Sequence, residues 1–151
     1  MKGTQSSIKQ SQARARPSFS RKTSSVMRML DAKPGAQANP MAAPRSVVPS
    51  VVLYKIMGKM FAILSVRGEE FVILKCDPNL VHILREQYKG VGHRSHLDKR
   101  FWICVRLDAD VPPKEIRRLI DHSYGLVSSG LTRKQQAQLA AMAPASKGRK
   151  H

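Results

Sequence analysis

Aromatic side chains are scarce in this 151-residue chain, which has four Phe, three Tyr and one Trp. Any stacking chemistry must therefore be assigned to very few positions. Cysteine is scarcer still. Cys76 and Cys104 are too far apart for a C-x-x-C motif and too few for a disulfide framework. Each lies in an apolar run, where a free thiol behaves as a small hydrophobe, so a reducing, cytoplasmic setting is expected. No apolar run approaches the length of a membrane-spanning helix, and the N-terminus lacks the apolar centre of a secretory signal. Acidic residues are few as well, 10 against 27 Lys and Arg. The excess is uneven, with a net charge of +8 over residues 1–50, +6 over 51–135 and +3 over 136–151. That distribution favours polyanionic partners, nucleic acid ahead of an anionic membrane.

Residues 1–23 have almost no large apolar side chains and no period, so a disordered basic arm is expected there. The seven Lys and Arg among the first 30 residues, with no acid, would also suit an organellar transit peptide, a reading ranked below the arm. Residues 24–50 read as a short helix followed by a Pro/Ala-rich linker over 36–50. The helix, SSVMRMLDA, is capped by Ser24 or Ser25 and turns Val26, Met29 and Leu30 inward. The folded domain spans 51–140, and 141–151 form a basic tail. VVLYKIM, KMFAILSV and EFVILKC are three strands, the first two divided by Gly58 and the next pair by a loop at Arg67-Gly68-Glu69. Asp77-Pro78 opens a helix with Leu80, Ile83, Leu84 and Tyr88 as its apolar stripe, ended by Gly90. Pro112-Pro113 starts a long helix that Gly130 ends, and Thr132 with Gln135 forms a capping box for a last one. The predicted class is α+β in two layers. An antiparallel sheet of about five strands carries helices on one face, in the order helix, three strands, helix, two strands, helix.

His93–Asp108, HRSHLDKRFWICVRLD, concentrates charge and aromatic character on a strand. Phe101, Ile103, Val105 and Leu107 alternate with Arg100, Trp102, Cys104 and Arg106. Trp102 stands between two arginines, and Arg94, His96 and Lys99 precede it. An aromatic flanked by arginines can stack on a base while its neighbours hold phosphate; alternatively, it packs beneath a helix. The predicted nucleic-acid-binding set is Arg67, Arg94, His96, Lys99, Arg100, Trp102 and Arg106.

KPGA at 33–36, GKMFAIL at 58–64, LKCDP at 74–78, HLDKRFW at 96–102 and LIDHSYGLV at 119–127 resemble the MmcQ/YjbR family in order and spacing, from about Ser24 to Leu139. The resemblance implies a small domain of the secretion-chaperone-like type, often labelled DNA-binding from a paired-wing arrangement of hairpins. It implies neither catalytic residues nor a cofactor. The family's usual acidic residues and aromatic-Gly turn between the first helix and first strand are replaced here by segment 36–50.

Chemistry-bearing constellations are weak. His93 and His96, with Cys104 and His122, have no structural zinc spacing. Ser95 and Ser123 lack a glycine-framed elbow, and Gly90-x-Gly92 lacks the setting of a phosphate loop. No catalysis, metal, cofactor, membrane partner or small-molecule substrate is therefore expected. The leading expectation is a non-enzymatic nucleic-acid-binding protein, DNA ahead of RNA, using basic hairpin and strand residues. The alternative is a protein-interaction or chaperone-like module that binds through its sheet.

Overall fold

The structure, a computed structural model, describes residues 20–94 and 96–142. Residues 1–19 of the arm expected over 1–23, residues 143–151 of the expected tail, and Ser95 lie outside the described residues; Arg21–Thr23, expected to be disordered, are helical instead. Helix α1 (Arg21–Asp31) starts three residues before the expected Ser24. Ser20 is its N-cap, its hydroxyl accepting the Thr23 amide, and Thr23 is already buried. Strands β1 (Gln37–Ala42), β2 (Pro49–Ile56), β3 (Lys59–Ser65) and β4 (Phe71–Lys75) follow. Then come helix α2 (Pro78–Gln87), strands β5 (Val91–Gly92) and β6 (Trp102–Arg106), helix α3 (Pro113–Ser129) and helix α4 (Arg133–Ala140).

Six strands form one antiparallel sheet in the order β1-β2-β3-β4-β6-β5. The additional strand is β1, which occupies part of the segment expected to be a linker. All six of its residues are exposed, so burial imposes no alternation on its sequence. Pro40 is tolerated because β1 lies at the sheet edge, where one row of backbone groups needs no partner. Between β2 and β3 the chain reverses over Met57 and Gly58, both at positive φ (47° and 81°), the conformation of a tight two-residue hairpin.

The four helices of the described residues cover one face. Val26 and Leu30 of α1, Val81 and Leu84 of α2, Ile116, Leu119, Ile120 and Val127 of α3, and Leu139 of α4 share a core with Val52, Tyr54, Leu64, Val72, Leu74, Ile103 and Val105 of the sheet. In α2 the expected stripe holds at Leu84 and Tyr88 but not at Leu80 and Ile83, where Val81 is the inward residue instead. Val81 and Leu84 are buried, whereas Leu80 and Ile83 are 37% and 51% exposed. Adjacent apolar pairs at 80–81 and 83–84 satisfy either phase, and packing against the sheet selects one. The Asp77 cap, Pro78 and the Thr132–Gln135 capping box form as expected. Among the described residues no helix is long and apolar enough to cross a membrane.

Candidate nucleic-acid interface

The sheet face turned away from the helices is bare by comparison. Paired residues on neighbouring strands share a face, and the register aligns Asn39, Leu53, Ile63, Ile73, Cys104 and Gly92 across the sheet. Gln37 pairs with Lys55, Met41 with Val51, Lys75 with Trp102 and Phe71 with Arg106 on the same side. No strand position on this face is acidic. Lys55, Lys75 and Arg106 supply its charge. Val51, Leu53 and Ile63 are half-buried, so the surface between the charges is apolar and partly open.

A small second cluster stabilises this face. Phe71, Ile73 and Cys104 are buried, with Ile63, Leu97 and Trp102 packed against them. Leu97 comes from the loop 93–101, which folds back across the strands. His93 shares a 2.7 Å ring-nitrogen hydrogen bond with the Leu97 carbonyl. Trp102 is thus half-buried on the helix-free face, and a helix does not cover it.

The seven residues singled out from sequence are divided among four places. Arg94 and Arg106 flank Cys104 on the open face. The Arg94 guanidinium lies 4.4 Å from the Phe71 ring centroid and pairs with Glu69, while Arg106 lies 3.4 Å from Asp108. Lys99 and Arg100 sit in the turn preceding β6. There Asp98 accepts bonds from the Arg100 backbone and guanidinium (2.9 and 2.7 Å), and its carboxyl is lowered to about 2, chiefly by the side-chain hydrogen bond from Arg100. Arg67 stands at the exposed β3–β4 tip, beside Ser20, Gly68 and Glu70. His96 is exposed in the loop. Three of the four arginines therefore already hold an acid. Lys55, Lys75 and Lys99 hold none among the described residues. Lys75 was missed from sequence, although the alternation Phe71, Ile73, Lys75 places it on the Trp102 side once register is known.

The remaining motifs hold the architecture. Ser123 is fully buried and joins two strands, donating to the Phe61 carbonyl (2.6 Å) and accepting from the Lys75 amide (2.9 Å). The Asp77 amide donates to His122 Nε2 at 3.2 Å, Tyr124 donates to the Pro34 carbonyl at 2.6 Å, and Asp121 pairs with Lys33. Ser123 is thereby engaged on both sides within the core. Burial pushes the Cys76 and Cys104 thiols up to about 11. Among the described residues no three His, Cys, Asp or Glu side chains converge on a common point.

These features define a class of small α+β domain, a one-sided antiparallel sheet with its second face open. The chain belongs to the YjbR family, whose model matches residues 31–126. It is 33% identical to YjbR of Escherichia coli K12 over 104 residues, covering 67% of this chain and 82% of that protein. It is 32% identical to YbdF of Escherichia coli O157:H7 over 92 residues, 60% of this chain and 75% of that one. In fold it is similar to Deinococcus radiodurans protein DR2400, a DUF419 domain, with TM-score 0.65 and 24% identity over 78% of this chain and 86% of the other. A Pseudomonas syringae protein aligns with TM-score 0.56 and 23% identity over 72% and 98% of the two chains.

Proposed function

We propose that this protein is a non-enzymatic nucleic-acid-binding protein that lays a strand across the open face of its sheet. The observation that carries the reading is the charge pattern of that face: Lys55, Lys75 and Arg106 with no acidic strand residue among them. Trp102 is the half-buried aromatic at its margin, in register with Lys75. Lysines without acidic partners can exchange counterions for phosphates at no cost in broken ion pairs. An open sheet face with an aromatic is suited to unstacked bases, which favours single strands over entry of a hairpin into a duplex groove. The Arg67 tip is less suited to groove entry, since Glu69 and Glu70 follow it after Gly68.

The half-buried Val51, Leu53 and Ile63, next to the exposed edge β1, support a second reading in which the same face receives a protein partner. Salt separates the two. Binding of a fluorescent single-stranded oligonucleotide by anisotropy should weaken as salt rises, by about 0.7 in slope for each phosphate neutralised. Replacing Lys55 and Lys75 together by Ala should lower the steepness of that slope by about 1.4 on the same basis. An unchanged slope and affinity in the double variant would reject the sheet-face reading.

A further inference from the structure

Helix α1 and the start of α3 leave a cleft between them on the helix side of the sheet, away from the open face. Its volume is about 150 Å³, and Val26, Met29, Leu107, Val111 and Ile116 form its wall. Four of these belong to the buried core and Met29 packs against it, so core packing shapes the cleft. An apolar cavity of about this volume holds one benzene ring. The Met29 thioether suits an aromatic occupant further, since sulfur makes favourable contacts with ring edges.

The rim differs in character from the wall. Arg21 and Lys22, exposed on the first turn of α1, line it, and neither holds an acid among the described residues. Ser25, one turn further along, adds a hydroxyl. The acids nearest in sequence to the wall are engaged elsewhere. Asp108 pairs with Arg106, Glu115 pairs with Arg118, and Asp110 accepts the Lys89 and Gly90 amides. A ring-sized apolar space beneath two cations without acidic partners is complementary to a molecule with one apolar ring and one negative charge.

We propose that this cleft binds a small aromatic monocarboxylate, with its ring against Val26, Met29 and Ile116 and its carboxylate at the rim beside Arg21 and Lys22. Burial of the ring supplies most of the affinity. The cations stay in water and mainly select the charged ligand over a neutral molecule of the same shape. The site does not depend on the sheet-face reading, whose lysines stand on β2 and β4 and do not line the cleft.

The test is amide NMR of the full chain at constant ionic strength, titrated with benzoate, benzyl alcohol and acetate. Benzoate should give saturable shifts at Val26, Met29, Leu107, Val111 and Ile116, with a dissociation constant on the order of 1 mM, ordinary for so small a ligand. Benzyl alcohol keeps the ring without the charge and should bind about three- to fivefold more weakly at the same amides. Acetate keeps the charge without the ring and should bind there at least about tenfold more weakly than benzoate. The Arg21→Gln/Lys22→Gln variant changes exposed positions, so its Tm should stay within about 3 °C of the parent. It should bind benzoate only as well as benzyl alcohol, and benzyl alcohol as the parent does. Equal binding of acetate and benzoate would overturn the proposal, reducing it to attraction of anions by a basic surface. So would an unchanged benzoate affinity in the double Gln variant, or benzoate shifts spread over the sheet face. The Lys55→Ala/Lys75→Ala variant should bind benzoate within about twofold of the parent; loss of binding there would refute a separate site.

Discussion

Replacing Ser123 by Ala probes whether the serine of the D-x-S-Y element is structural. Its hydroxyl is fully buried and serves two backbone groups on different strands, the Phe61 carbonyl and the Lys75 amide. Deleting it leaves both without a partner in a region sealed by Phe61, Leu74 and Ile120. Each buried, unsatisfied backbone group costs about 1–3 kcal/mol. Partial relaxation of the helix toward the sheet would recover some of this, giving an expected loss of about 2–4 kcal/mol. For a domain of this size that corresponds to a fall in Tm of roughly 8–15 °C. Urea unfolding followed by circular dichroism measures the loss directly, with an unchanged m-value as the sign that the native state is otherwise intact. Ser128→Ala is the control. Its hydroxyl bonds only to the Gly125 carbonyl one helical turn away, at a more exposed position, so a change within about 0.5 kcal/mol is expected. A Ser123→Ala protein within about 0.5 kcal/mol of the parent would refute the bridging role.

Asp98 should titrate near 2 rather than at the ordinary carboxylate value, because Arg100 binds its charged form. Its folded value is depressed, so its contribution to the turn is present above about pH 4 and lost as pH falls toward 2; an ordinary midpoint by carboxyl NMR would contradict this. Gly35→Ala should destabilise by about 1–2 kcal/mol in thermal melts, since Gly35 has φ +72° and an added Cβ would come within 2.5 Å of Leu139 Cδ1. A neutral result would mean that α4 shifts freely. Both thiols should resist a disulfide reagent at pH 8 in the native protein and react promptly in denaturant, because burial raises them to about 11. Fast reaction of the folded protein would place a cysteine at the surface.

The elements with one buried face were legible from sequence because burial writes a period into the chain. Alternation in WICVR and the run FVILK identified central strands, and Asp77-Pro78 and Thr132–Gln135 marked helix starts by their capping chemistry. Strand β1 was not legible, since an exposed edge has no face to encode and Pro40 argues against any interior strand. The start of α1 was misplaced because Ser20, Ser24 and Ser25 are all competent caps, and the choice is made by packing, with Ser20 also donating to Glu70 at 2.8 Å. The candidate interface was half legible. Alternation put Trp102, Cys104 and Arg106 on one side, but only the register adds Lys55 and Lys75 to that side. Ion pairs were invisible as well. The arginines that made the sequence look most basic, Arg94, Arg100 and Arg106, are the ones with acidic neighbours in space.

Trp102 is the only tryptophan of the chain, so its emission reports directly on the proposed face. Titrating a single-stranded oligonucleotide into the full chain should quench that emission saturably, and added salt should reverse the quench. Lys75→Ala, the in-register neighbour, should weaken the quench and reduce the steepness of the salt slope by about 0.7. Binding by anisotropy that leaves Trp102 emission unchanged, with a slope indifferent to Lys75→Ala, would contradict a strand lying across the sheet.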